Sequence, residues 1–274
     1  MKERNMNAKG RINKKIAFIS VLILLFCIVI SAGATGKLTK EGLVENIGAQ
    51  KNIFDPQKAD VVVEGVMELK FFEGKENVYA VGPAANLNGE ITVLNSKPYT
   101  AKVLGNDDSY MVDRTWNNDA LFLVWAQIPR WKGIPIPNTV KTYVELQKFI
   151  KEQASASGID VSKPIPFQVS GTPIEMIWHI NVNRTGGKKP ITRELFVKSK
   201  AIYTLKNEPV DIVGFYSEKH YGIYISQYAP AIKPDSGPKN TVHMHFVSRK
   251  SKATGHIDDI TLGEGMTLSL PEMY

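Results

Sequence analysis

Five histidines are spread over 274 residues, and three of them fall within "TVHMHFVSRKSKATGHIDDI", Thr241 to Ile260. The run "VHMHF" alternates, so on a β-strand His243 and His245 point to one face and Met244 points to the other with Val242 and Phe246. Same-face residues sit about 7 Å apart along a strand, close enough for two imidazoles to lean onto one ion. His256 follows His245 after 11 residues, past the basic segment "SRKSKATG", and Gly255 allows close approach of the backbone. A strand, a turn and a returning strand would set His256 beside the first pair. Three neutral imidazoles with an open position suit a catalytic Zn²⁺ or a similar divalent ion. The H-x-H pattern taken alone also fits surface or packing histidines, and spacing does not separate the two readings.

Sulfur takes no part. Cys27 is the only cysteine and lies inside the apolar run "IAFISVLILLFCIVI", Ile16 to Ile30. The chain beyond that run has no thiol for a disulfide, a nucleophile or a metal, which leaves His, Asp, Glu and water as ligands. There is no G-x-S-x-G, no H-E-x-x-H and no P-loop. "TGGKKP", Thr185 to Pro190, reads as a hairpin loop, His220 in "SEKHYG" as a solvated turn residue, and Asp258 either as an acceptor that orients an imidazole or as a surface charge.

The elements that would hold these residues are mostly strands. Val-, Tyr- and Phe-rich runs separated by Gly, Asn and Pro occur at "DVVVEGVMELKFF", "NVYAVG", "GEITVLN", "YTAKVLG" and "ALFLVWAQI", and again at "FQVSG", "IEMIWHINVN", "DIVGFYS" and "TVHMHFVS". "RWKGIPIPN" and "APAIKPDSGPKN" read as loops from their prolines. "TVKTYVELQKFIKEQASAS" is the one clear amphipathic helix, capped by Asn138 or Thr139 and ended by Gly158. The fold class expected is α+β, predominantly β, with mixed or antiparallel sheets in two halves around a central metal site.

Six of the 34 basic residues and one of the 27 acidic residues lie in the first 34 positions. The remainder therefore carries 28 basic and 26 acidic groups, too balanced for a nucleic-acid partner. A basic start, an apolar run and "SAGA" describe a secretory signal or an uncleaved anchor over residues 1–34. The expected organisation is that segment, a linker over 35–58 and a domain over 59–274. The domain should lie outside the cytoplasmic membrane, touching it only through the N-terminal segment.

"VGFYSEKHYGIYISQY…HMHFVSRKSKATGHIDD" resembles the C-terminal part of the α-acetolactate decarboxylase family, and the spacing from the second to the third histidine matches without a gap. "VGPAANLNGEITVLNSKPY" is similar to the family's Gly-rich entry, Leu-Asp-Gly-Glu and apolar strand; here it reads Leu87, Asn88, Gly89, Glu90. The resemblance covers residues 55–271 and implies Zn²⁺ on His243, His245 and His256, a glutamate at Glu90, and a homodimer. It implies decarboxylation of (S)-2-acetolactate, a 2-hydroxy-3-oxo acid, to (R)-acetoin and CO₂. The family's strand arginine falls on His179 when counted from Gly171, and the nearest arginine is Arg184. Glu90, His179 and Arg184 are thus the catalytic candidates. The family's "PFA" block is replaced by "WNNDALFLVWAQ", and only Glu264 and Glu272 remain to stand for its acidic tail residue. Two alternatives stay open: a related metal-dependent lyase or hydrolase for another small oxo or hydroxy acid, and a non-catalytic metal-bearing domain.

Overall fold

A computed structural model of the chain describes residues 45–47, 67–184, 200–221, 224–225, 231–233 and 236–272. Within them, strands alternate with tight turns to build two large sheets. The first sheet contains β1 (Glu45–Ile47), β3 (Val78–Pro83), β4 (Glu90–Leu94), β5 (Lys97–Val103), β6 (Tyr110–Asp113) and β8 (Leu123–Gln127), in the order β1-β8-β3-β4-β5-β6. The second contains β9 (Trp131–Pro135), β10 (Ile165–Gly171), β11 (Glu175–Asn181), β12 (Lys200–Lys206), β13 (Val210–Tyr216), β16 (Val242–Ser248), β17 (Thr254–Thr261) and β18 (Thr267–Pro271). Its order is β12-β11-β17-β16-β13-β10-β18-β9. Short pairs complete the described strands: β2 (Met67–Glu68) with β7 (Asp119–Ala120), and β14 (Ala231–Lys233) with β15 (Ser236–Lys239). The pairing in both large sheets is antiparallel throughout.

Among the described residues one α-helix, α1 (Tyr143–Ala156), packs on the second sheet. Its start lies beyond Asn138 and Thr139 because Thr142 and Glu145 form a reciprocal capping box: the Thr142 hydroxyl accepts from the Glu145 amide, and the Glu145 carboxylate accepts from the Thr142 amide. Its end is as the sequence indicates. Gly158 takes a positive φ, with Gly158 donating to Ser155 and Ile159 to Ala154, the closing bonds of a Schellman turn. Leu146, Phe149 and Ile150 of α1 share a core with Val242, Met244 and Phe246 of β16. The alternation of β16 therefore turns His243 and His245 toward the other face, where β4 of the first sheet approaches β16 and β17. All seven residues of β16 are buried, as expected for a strand covered on both sides.

The structure corrects two loop readings. "RWKGIPIPN" contains β9, which pairs only with β18 at the sheet edge, where a proline's missing amide costs no ladder bond. "APAIKPDSGPKN" contains the β14–β15 hairpin. Strands β12 and β18 were not apparent from composition. Part of the expected linker, Glu45–Ile47, pairs with β8. The signal or anchor segment 1–34, the rest of 35–58 and "TGGKKP" lie outside the described residues. No helix among the described residues is long and apolar enough to cross a membrane.

Candidate metal centre between the two sheets

The register of the second sheet lines up three imidazoles. His179 on β11 pairs with His256 on β17, and His256 pairs in turn with His245 on β16. Neighbouring strands lie about 4.8 Å apart, so this rung brings the rings together. His243 joins from two residues along β16. Ring centroids are 4.7 Å apart for His179 and His256, 5.0 Å for His243 and His256, 5.1 Å for His243 and His245, and 5.4 Å for His245 and His256. Gly255 is what lets β17 come this close. A Cβ there would lie 2.6 Å from the Trp178 ring and 2.7 Å from the His179 carbonyl oxygen.

Ligand atoms of His243, His245 and His256 all lie within 4.8 Å of one another. A tetrahedral ion with metal–nitrogen bonds of about 2.0–2.1 Å needs nitrogens roughly 3.4 Å apart, within reach of small side-chain rotations. The outer nitrogens are already tied down. His243 Nδ1 lies 3.2 Å from the Tyr224 carbonyl oxygen, and His245 Nδ1 lies 3.3 Å from Thr92 Oγ1. His245 Nε2 is buried with no hydrogen-bond partner, and it faces Glu90 Oε2 at 3.5 Å. A buried ring nitrogen without a partner costs roughly 1–3 kcal/mol. A divalent cation beside it would take up the lone pair, so these residues fit a metal.

Glu90 reaches the cluster from the first sheet. Gly89, at φ +134°, opens β4, and its absent Cβ would sit 2.5 Å from the Ala101 carbonyl oxygen. Glu90 is 2% exposed. Its Oε1 accepts from Asn181 Nδ2 at 2.5 Å and lies 3.8 Å from His179 Nε2. Burial pushes the carboxyl pKa up from 4.5 to about 8, against the pull of the Lys200 charge. The same burial holds the imidazoles neutral: His243 falls to about 4, and His245 and His256 lie well below 6.5. Neutral imidazole is the form that binds a cation. His256 keeps some accessible surface as a residue.

His179 is oriented by a bulge. Ile177 faces Asp259 while Trp178 faces Ile257, so Asp258 is the extra residue on β17. Its carboxylate Oδ2 lies 2.7 Å from His179 Nδ1, with Lys200 Nζ 3.9 Å from the other oxygen. Burial raises the Asp258 pKa, but His179 and Lys200 outweigh it and the carboxyl stays ionised. An ionised carboxylate only accepts, so Nδ1 of His179 carries the proton and Nε2 faces Glu90. His179, His256 and Asp258 also lie close enough to hold an ion. The hydrogen bond between His179 and Asp258 already satisfies those two groups, and it orients the ring.

The structure thus brings Glu90, His179, His243, His245 and His256 together. It does not bring Arg184, which forms a surface ion pair with Asp108 with its side chain 40% exposed. Glu272 pairs with Arg130, and Glu264 lies in an exposed turn. His220 is half-buried, with Nδ1 2.8 Å from Ser217 Oγ. Sequence reasoning missed Asn181, Thr92 and Thr254. Asn181 left one signal: it stands two residues after His179, on the same face of β11.

No protein-family model and no curated protein matches the chain. Solved structures do. The α-acetolactate decarboxylase of Bacillus subtilis strain 168 aligns at TM-score 0.62 and 16% identity, covering 84% of this chain and 86% of that one. The acetolactate decarboxylase of Bacillus subtilis subspecies spizizenii aligns at 0.59 and 17%, with the same coverage. A Staphylococcus aureus protein described as similar to α-acetolactate decarboxylase aligns at 0.59 and 14%, covering 82% of this chain and 84% of that one. At this identity the likeness is one of fold: the chain has the architecture of the acetolactate decarboxylases, with a histidine cluster able to hold a metal between its two sheets.

Proposed function

We propose that this chain is a metal-dependent lyase or hydrolase acting on a small oxo or hydroxy acid, with Zn²⁺ on His243, His245 and His256. Decarboxylation of the 2-hydroxy-3-oxo acid (S)-2-acetolactate to (R)-acetoin is the first reaction to test. The observation that carries the reading is the buried, partnerless Nε2 of His245 within a cluster of neutral imidazoles that faces a buried carboxyl group. When bound, the cation supplies a Lewis acid that draws electron density toward a carbonyl beside the breaking bond.

The chain's residues handle the proton. Loss of CO₂ leaves an electron pair on the carbon next to the ketone, and that carbon must be protonated. In the metal-free protein Glu90, with its pKa raised to about 8, holds a proton at neutral pH. Asn181 donates to Oε1, so the proton resides on Oε2, the oxygen directed at His245. That is the atom from which the carbon would receive it. His179, fixed by Asp258, offers its Nε2 lone pair to a substrate hydroxyl. The two sheets exclude bulk water from Glu90 and His245.

The test is full-length, zinc-loaded protein incubated with (S)-2-acetolactate and assayed for acetoin, with His245→Ala as control. Acetoin formation lost in the variant supports decarboxylation. One equivalent of bound metal without acetoin moves the reading to another small acid or to a non-catalytic metal domain, and no bound metal overturns it. Extracytoplasmic location, by secretion or through an uncleaved 1–34 segment, belongs to the same proposal. Fractionation of cells that express the full chain checks it.

A further inference from the structure

Two buried threonines that the proposed chemistry does not use form a chain of hydroxyls ending on His245. Thr92 belongs to β4 of the first sheet and Thr254 to β17 of the second, and neither has accessible surface. Thr254 Oγ1 lies 2.6 Å from the Phe246 carbonyl oxygen and 2.8 Å from Thr92 Oγ1. Thr92 Oγ1 lies 3.3 Å from His245 Nδ1.

Each hydroxyl has one proton to give, and a carbonyl oxygen has none. The short contact to Phe246 therefore uses the Thr254 proton. The bond between the threonines must then use the Thr92 proton, with Thr254 Oγ1 accepting. Thr92 Oγ1 is left with only lone pairs toward the ring, so His245 Nδ1 must donate. The proton is fixed on Nδ1, and Nε2 is left as a bare lone pair toward the cluster, which matches its lack of a partner.

We infer that Thr92 and Thr254 are positioning residues: their directional hydroxyl relay, crossing from one sheet to the other, locks His245 in the tautomer that binds a cation. Metal affinity is thereby linked to docking of the two sheets, because the acceptor for the ring proton comes from the sheet that does not carry the ring. The inference rests on the metal reading only for its affinity arm; the tautomer is a property of the metal-free protein.

Substituting either threonine with valine keeps the shape and removes the hydroxyl. Thr254→Val frees the Thr92 proton to turn toward His245 Nδ1, which would drive the ring to the Nε2–H form. Thr92→Val removes the hydroxyl acceptor without supplying a donor and leaves the Ile91 carbonyl as a second acceptor for the ring. On full-length protein, Zn²⁺ affinity by chelator competition should weaken about 10–100-fold in Thr254→Val, less in Thr92→Val, and recover in Thr254→Ser and Thr92→Ser. Imidazole ¹⁵N NMR of the metal-free protein should show His245 protonated at Nδ1 in the wild type and shifted toward Nε2 in Thr254→Val. Equal affinities in wild type and both valine variants overturn the inference and assign the tautomer to other contacts of the ring. A wild-type His245 protonated at Nε2 overturns it too, whether or not the variants fold. If the wild type binds no Zn²⁺, the metal reading fails, and the NMR result alone decides the relay.

Discussion

Metal-free protein should be most stable near pH 6.5, and Glu90→Gln should remove the loss on the alkaline side and steepen the acid side, where Glu90 opposes the imidazoles. Glu90 has its folded pKa raised from 4.5 to about 8. A group shifted this way contributes stability that is fully present below 4.5 and is lost as pH rises through about 8. Between pH 6.5 and 9 the unfolded chain's glutamate is ionised while the folded one is still giving up its proton, and the difference integrates to about 2 kcal/mol. The imidazoles act in the opposite sense. Their folded pKa values are depressed, to about 4 for His243 and well below 6.5 for His245 and His256. Their contribution is present above 6.5 and is lost as pH falls, at up to about 1.4 kcal/mol per pH unit for each ring. The acid side is therefore steeper. A glutamine at position 90 keeps the acceptor for Asn181 and sets an N–H toward His245 Nε2. Urea denaturation in chelator from pH 5.5 to 9 measures both profiles, and their difference cancels the titration of surface carboxylates. Wild type should lose about 2 kcal/mol more than Glu90→Gln between pH 6.5 and 9. Parallel profiles would refute the reasoning. They would mean that the carboxyl is ionised in the fold and holds no proton to donate at neutral pH.

Zn²⁺ at about 100 times its dissociation constant should stabilise the protein by about 2.7 kcal/mol, read as a rise in Tm, and His245→Ala should abolish that rise. Gly255→Ala should lower the urea midpoint, at a cost of roughly 1–3 kcal/mol, because the new methyl meets Trp178 and the His179 backbone within 2.7 Å. Thr142→Ala should lose about 1 kcal/mol with the helix cap and leave metal affinity unchanged, a contrast that separates general stability from the site.

The His243–His245 alternation and the close approach at Gly255 were legible because both are local: a two-residue period and a missing side chain. Glu90 was legible only through resemblance, since Asn-Gly-Glu alone looks like a solvated turn. The helix start was misplaced because Thr142 and Glu145 outcompete the earlier cap candidates through a reciprocal bond that a list of favourable residues does not weigh. β9 was hidden by its prolines, which an edge strand tolerates and an interior strand does not. Arg184 stood near the required register, but Asp108 holds it at the surface. The roles of Asn181, Thr92 and Thr254 depend on one sheet lying against the other, and no period within a single strand encodes that.

The bulge at Asp258 explains how His179 enters the cluster as an oriented partner of the other three rings. Without an extra residue on β17, Trp178 and Ile257 would not share a rung, and β11 would be shifted by one residue relative to β17. A one-residue slip sends every side chain of a strand to the opposite face, so the register that pairs His179 with His256 depends on that insertion. The inserted residue also supplies the carboxylate that holds His179 Nδ1. Register and tautomer are thus set by the same backbone irregularity. His245 has its tautomer set separately, by hydroxyls from across the sheet interface. The two imidazoles that flank Glu90 are in this way oriented by independent devices, one within the second sheet and one between the sheets. Loss of the Asp258 carboxylate or of the threonine hydroxyls would free one ring, whereas loss of the bulge itself would also shift β11 against β17.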